Sequence, residues 1–383
     1  MSLFANADLN RMQIHGAMRC LSDSVGVAFS AVFLLRQGLS PASVYLAFAA
    51  IFALRLSLRW LAVRAIARVG LRRGLIAGAM LYATQFLALA AVTGPGAGVA
   101  LYIVTVAVAD ALYWTAYHTA FASAGALDDR GRQIGAREIL SQFASIAGPV
   151  AGGMALTLSG PWLSFGLAAA IACLSILPLL KLSDAAIART PPPGMWRAAK
   201  SSAILFATDG WIVMGAQTAW TFLVFKAFDS RFDAYGAALS VAALAGAAAT
   251  FLFGKSIDTG NARRAVVTAG LCLATLLCLQ AANASDPVRA TLVLIAGAAI
   301  GHLYLPGLMS AVYNSAKSSS CALRYILFTE SGWDCGAAGA TLLCALIAWS
   351  GAPLQAGILL GLPAVLLQTW LLAPRFRIRG AAA

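Results

Sequence analysis

Charge is scarce in this chain. Only 11% of its 383 residues are Asp, Glu, Lys or Arg, 61% are hydrophobic, and mean hydropathy is +0.82. Soluble domains carry about a quarter charged residues. This chain has too little polar surface to cover itself in water, and the composition argues against a large soluble helical protein. Histidine is scarcer still. His15, His118 and His302 lie far apart and form no H-x3-H pair, so no metal site is expected. The seven cysteines are scattered, odd in number and without CxxC spacing. That pattern fits packing inside apolar segments better than disulfides or metal binding. There is no G-x-x-x-x-G-K-[ST] loop to support ATP drive. Nor is there a G-x-S-x-G or H-E-x-x-H centre, so neither an enzyme nor a cofactor is expected. No cleavable signal peptide is apparent, because the first apolar stretch is longer than a signal h-region.

Long apolar runs take the place of these features. A spanning helix needs about 20 apolar residues. Twelve runs reach that length, at approximately 13–35, 42–63, 74–93, 98–124, 134–158, 161–181, 202–226, 234–254, 265–283, 289–314, 324–349 and 353–373. A β-barrel would show alternation in segments of about 10 residues. These runs are longer and apolar on most faces, which predicts an all-α membrane protein with twelve transmembrane helices. Turn sequences such as TGPGAG, SGP and SGAP separate several of them.

The few cations are placed unevenly. With the N-terminus inside, four of the 27 lysines and arginines fall on outer segments (Arg36, Lys226, Arg231, Arg289). Three more lie within helices (Arg19, Arg55, Arg59), which leaves twenty on inner segments. This asymmetry predicts two cytoplasmic termini. It also explains the net charge of +13 as topology rather than as a nucleic-acid footprint. The longest connection, 182–201, contains three consecutive prolines near the midpoint of the chain. It predicts a six-helix bundle at 1–181, a cytoplasmic central loop, and a second bundle at 202–383.

Short internal matches support two related halves. An offset of 190 sets Arg36 on Lys226 and Tyr45 on Tyr235. With one further residue of offset, VRAIARVGLRR (63–73) falls on GKSIDTGNARR (254–264). REIL (137–140) and RYIL (324–327) each fall near the start of the fifth helix of a half. Parallel six-helix repeats of this kind occur in transporters.

With these features the chain resembles the major facilitator superfamily over essentially its whole length. GKSIDTGNARR is similar to the family's loop pattern G-x-x-x-D-x-x-G-R-[RK], matching at Gly254, Asp258, Arg263 and Arg264. The copy in the first half keeps Arg68, Gly70, Arg72 and Arg73, but has Ala67 at the acid position and Val63 at the leading glycine. GPVAGG, with Gly148, Pro149, Gly152 and Gly153, resembles the G-P-x-x-G-G signature common in proton-driven exporters of the family. The glycines allow close helix approach and the proline permits a bend. The resemblance implies two pseudo-symmetric bundles, with the first and fourth helices of each half lining a cavity. It also implies that a loop acid latches one half to the other. Asp258 is expected to dock around 135–138, and the reciprocal latch is expected to be weaker because Ala67 cannot accept a hydrogen bond.

Ionisable groups inside a membrane are costly and usually functional. Asp23, Glu330, Asp334 and Asp209 are the candidates for proton coupling, since a carboxylate taken out of water holds a proton more readily. Asp23 lies one turn from Arg19, so a permanent ion pair is the alternative reading. Arg55 and Arg59 share one face of the second helix and could bind an anion or snorkel, with snorkelling favoured for Arg59. Substrate-cavity candidates are Arg19, Tyr113, Trp114, Tyr117 and His118 in the first half. In the second half they are Trp211, Gln217, Trp220, His302, Tyr304 and Asn314. Aromatic stripes at this spacing also serve simply as packing. The expected protein is therefore a monomeric, multi-pass secondary transporter of the cell membrane, as in a bacterial inner membrane. Its partners are the lipid bilayer, protons and a small-molecule substrate. Export of a small organic or amphipathic solute is the leading reading, with uptake of an anionic metabolite or lipid flipping as alternatives.

Overall fold

The computed structural model describes residues 6–124, 130–184, 193–257 and 262–376, with backbone alone at 130–139, 249–257, 262, 302–303 and 376. Among these residues every regular element is helical. We number the long helices α1 (Ala7–Arg36), α2 (Pro41–Val69), α3 (Leu71–Ala90), α4 (Ala97–Ala124), α5 (Arg130–Leu158) and α6 (Pro161–Lys181). The second set is α7 (195–227), α8 (Phe232–Ile257), α9 (Ala262–Ala282), α10 (Pro287–Ser318), α11 (Ala322–Trp349) and α12 (Gln355–Arg375). Among the described residues nine of the twelve are long and apolar enough to cross a membrane. The other three, α5, α7 and α8, are either interrupted or partly outside the described side chains.

Local chemistry sets several of the helix starts. Ser40 accepts from the Ser43 amide at 3.1 Å with Pro41 in the first turn, and Asp286 accepts from the Arg289 amide at 2.8 Å ahead of Pro287. Each side chain satisfies an amide that the helix itself leaves free. Large apolar side chains cover the outer surface. Trp349 and Trp370 are 81% and 71% exposed, an arrangement that suits lipid and not water.

Helix α7 departs from the single run that hydropathy predicts. It is Met195–Trp211, a π turn at Ile212–Ala216, and then Gln217–Ala227. The Gly215 carbonyl in this turn accepts from the Tyr45 hydroxyl of α2 at 3.1 Å. Pairing of that carbonyl by another helix is what makes the irregularity tolerable away from water.

The two halves meet along two seams, α2 against α11 and α5 against α8. The GPVAGG segment explains the second seam. Gly148 and Gly152 face Ser24 and Val25 of α1, while Gly153 lies against the Phe232 carbonyl of α8. Gly236 of α8 lies against the Pro149 carbonyl in return, and the Val150 amide donates to Ser240 Oγ at 3.1 Å. Any side chain at these glycines would meet backbone, so the helices touch at main-chain distance.

Candidate functional site

Buried ions bridge the α2–α11 seam. Arg55 and Arg59 stand one turn apart on α2. Arg55 pairs with Asp334 of α11 and, at 3.1 Å, with Asp110 of α4. Arg59 holds Asp334 through Nε and, at 3.1 Å, through Nη2. It also reaches Glu330 at 2.8 Å and donates to Thr115 Oγ1 at 3.1 Å. Glu330 faces His118 Nε2 at 3.3 Å, and His118 Nδ1 contacts the Tyr313 hydroxyl at 2.6 Å. The snorkelling expected of Arg59 does not occur. Its side chain has no exposure, because two carboxylates of the other half meet it at that depth and replace the water it would seek.

A second ion pair sits within the first half. Arg19 Nε donates to Asp23 at 3.2 Å, and Tyr82 donates to the same Asp23 oxygen at 2.8 Å. The Arg19 guanidinium lies 3.3 Å from the Tyr82 ring centroid and 4.2 Å and 4.9 Å from those of Tyr113 and Trp114. The protein's own aromatic faces therefore surround this cation.

The α4 aromatics form the two stripes that helical spacing predicts. Tyr113 stacks on Tyr117, with ring centroids 5.6 Å apart, and Trp114 stacks on His118 at 5.2 Å. Both stripes are packed inside protein. Tyr113 and Tyr117 are buried with Phe121 and Tyr313 in one apolar core cluster. His15 of α1 closes this region, with Nε2 at 2.8 Å from the Tyr113 hydroxyl and Nδ1 at 2.8 Å from the Ser175 carbonyl.

A cavity of ≈ 540 Å³ lies elsewhere, among α1, α5, α7, α8, α9 and α10. Of the sequence candidates, Asp209, Gln217, Trp220 and Tyr304 line it, while Arg19, Tyr113, Trp114, Tyr117, His118, Trp211 and Asn314 do not. Trp211 instead donates to the Leu360 carbonyl of α12 at 2.9 Å. The side chain of His302 is outside the described residues. The lining also contains Gln280, Gln142, Ser141, Ser145 and Cys20, which sequence reading did not single out. Gln280 and Gln217 exchange reciprocal amide bonds at 3.1 and 3.3 Å. Asp209 accepts from Trp333 Nε1 at 2.9 Å and from the Tyr304 hydroxyl at 3.1 Å.

The loop candidates divide. Gly70 has φ +94° and joins α2 directly to α3, a conformation for which glycine is suited. A loop acid from the connection after α6 meets the start of α3. Asp184, just after α6, accepts from the Arg72 amide at 3.0 Å, and the Arg72 guanidinium donates to the Leu182 carbonyl at 3.3 Å. Asp184 thus serves the start of α3, where helix amides are free and the dipole favours an anion. Arg68 and Arg73 are exposed, as are Arg263 and Arg264 at the start of α9. Gly254 is described by backbone only, and the Asp258 latch with its partners around 135–138 falls outside the described residues or side chains. All seven cysteines are free, and the described residues contain no cluster able to hold a metal ion.

Twelve helices in two bundles, with a cavity among six of them, define a multi-pass membrane transport fold. The chain belongs to the Major Facilitator Superfamily, whose family model matches residues 16–323, and it is a transporter of that family. Among solved structures it is similar to the human organic anion transporter MFSD10 (TETRAN), with a TM-score of 0.70 and 16% identity, over 96% of this chain and 99% of that one. It is also similar to a point variant of the E. coli fucose:proton symporter FucP, with a TM-score of 0.65 and 12% identity, over 99% of this chain and 100% of that one. A structure of FucP in the outward conformation matches at a TM-score of 0.65 and 13% identity, with the same coverage. At these identities the likeness is one of fold. No curated protein is significantly similar in sequence.

Proposed function

We propose that this transporter works by alternating access, exporting a small organic or amphipathic solute in exchange for protons, with Glu330 as its main coupling carboxylate. One observation carries the reading. At the α2–α11 seam two guanidinium groups, Arg55 and Arg59, face three carboxylates, Asp110, Glu330 and Asp334. Like charges this close cannot all stay ionised in a low dielectric without one more proton. Glu330 shares its position with His118 and is held by Arg59 alone among the arginines, so it is the member best placed to take and release that proton. Neutral Glu330 pulls less on Arg59 and loosens a contact between the halves. States that alternate need differ by only a few kcal/mol, which is within the range of one such bond. Asp23 is the second coupling group and Asp334 the structural anchor of the network. In this reading the halves are 1–181 and 202–383, the connection 182–201 and both termini are cytoplasmic, and the protein acts as a monomer in a bacterial inner membrane.

Uptake of an anionic metabolite would draw on Arg19, Arg55 and Arg59. Each is occupied by acids of the protein, and none lines the cavity. That favours a solute that is not an anion.

Flux in everted proteoliposomes tests the proposal, using a panel of fluorescent cationic, neutral and anionic solutes. An acidic lumen should drive accumulation of at least one solute. Glu330→Gln should remove the response to the gradient while leaving slow equilibration, and Asp23→Asn should weaken it. Full gradient-driven accumulation in both variants would remove the coupling assignment. Gradient-driven loss of preloaded solute from the lumen would show import.

A further inference from the structure

The membrane-embedded acids of this protein are not alike. Asp23 is paired with Arg19, Asp110 with Arg55, and Glu330 with Arg59. Asp334 is held by both Arg55 and Arg59. Asp209 is the exception among the described residues. Its two oxygens accept from an indole and a phenol, which are neutral donors, and no cation pairs with it. It is also the one acid of this set that lines the ≈ 540 Å³ cavity, and the described lining contains no lysine or arginine.

An anion in a low-dielectric site without a countercharge is unstable until a proton or a bound cation neutralises it. The surroundings indicate which class of cation fits. A hard metal cation needs a shell of several oxygen ligands, whereas Trp220, Tyr304 and the aliphatic side chains of α8, α9 and α10 make most of this wall apolar. The cavity falls within the size range of sites for drug-sized organic ligands. Aromatic faces favour a large, weakly hydrated cation over a small hydrated one. The Gln217–Gln280 pair adds donors and acceptors on the same wall.

We infer that this cavity is the binding site for an organic monocation, with Asp209 as its counterion and Trp333 and Tyr304 holding the carboxylate in place. The inference rests on the transporter reading of the cavity and deepens it by naming the substrate class. Trp333 belongs to α11 beside the ion network, so the helix that orients Asp209 is the same one that carries Glu330 and Asp334.

Two probes of equal size and opposite charge provide the test. Tetraphenylphosphonium and tetraphenylborate are measured by equilibrium dialysis against the full chain in lipid nanodiscs, with empty nanodiscs subtracted. The phosphonium should bind at least about 30-fold more tightly than the borate, and Asp209→Asn should weaken it by about 30-fold or more, the cost of removing one partner of a buried charge pair. Asp209→Glu should keep a measurable part of the affinity, which separates loss of charge from loss of fold. Equal phosphonium affinity in Asp209→Asn would overturn the role of Asp209. Equal or tighter saturable binding of borate would overturn the cation class and leave the cavity as a transport site. Binding of neither probe by a protein that still transports under a gradient would overturn this assignment alone, since the flux test judges the transporter reading separately.

Discussion

Arg59 is the largest side chain in the described protein that is wholly buried, and its energetics are those of an ion kept from water. Stripping water from a guanidinium costs several kcal/mol, which only well-placed acids offset. Arg59 has two of them, Asp334 and Glu330, and a hydroxyl from Thr115. Arg59→Met should therefore lower unfolding stability by about 3–5 kcal/mol, because it leaves two carboxylates facing each other with one guanidinium fewer. Adding Glu330→Gln should recover part of that loss, with a coupling of about 0.5–3 kcal/mol. Denaturant unfolding in micelles, followed by tryptophan fluorescence, measures both. A loss below about 1 kcal/mol for the single variant would mean that the acids are not held as ions by Arg59. The chemistry of these residues was legible from sequence as rare charges in apolar helices. Their pairing was not, because Arg59 and Asp334 are 275 residues apart and no local pattern joins them. Asp184 was missed for the same reason, since a loop acid 112 residues from Arg72 has no helical or strand period to mark it.

At the scale of helices, close contact depends on which side chains are missing. GPVAGG could be read as a packing motif from its glycines alone, but its partner could not. Gly236 of α8 is one of two glycines in an alanine-rich run, and only the fold shows that it lies against the Pro149 carbonyl. A Cβ there would meet that carbonyl and the Phe29 ring, so Gly236→Val must push α5 and α8 apart. Overpacking of this kind costs about 1–3 kcal/mol, enough to shift a two-state equilibrium by about 5–150-fold. The contact lies in the half of the bundle opposite the termini, between the C-terminal part of α5 and the start of α8. Separation there opens a path to Cys20, which lines the cavity and donates to the Ser141 carbonyl at 3.3 Å. In a chain retaining only Cys20, Gly236→Val should raise the rate of labelling by an impermeant maleimide from that side by about 5-fold or more. Gly166→Val on α6, where a Cβ meets nothing within 4 Å, should leave the rate unchanged. Equal rates in the two variants would mean that α5 and α8 do not govern access. The π turn of α7 belongs to the same scale and had no sequence signal, because Gly215 is one small residue among several and its partner Tyr45 belongs to the other half.

For the whole molecule, run lengths carried most of the architecture. Twelve runs became twelve helices, with ends displaced by a few residues where polar turns such as Asn6–Asp8 extend beyond the apolar stretch. The cavity was only partly legible, because it is a gap among six helices and not a property of any one of them. Asp209, Gln217, Trp220 and Tyr304 could be chosen for their chemistry, but the α4 aromatics, chosen on the same grounds, turned out to be packed against each other. What joins these regions is the α2–α11 seam, which carries the ion network and, toward the ends of the bundle that bear the termini, a contact between Arg324 and the Trp60 ring at 4.5 Å. If transport requires the halves to rock apart along this seam, holding it shut must stop transport without altering the cavity. Trp60→Cys with Arg324→Cys, in a chain lacking its native cysteines, places one thiol on each side. A short bifunctional methanethiosulfonate should reduce gradient-driven flux in proteoliposomes to the level of empty vesicles, and a reductant should restore it. Each single variant should keep its flux after the same treatment. Flux that continues through a cross-link verified by mass spectrometry would show that the seam does not open, and the gating role assigned to its ion network would fall with it.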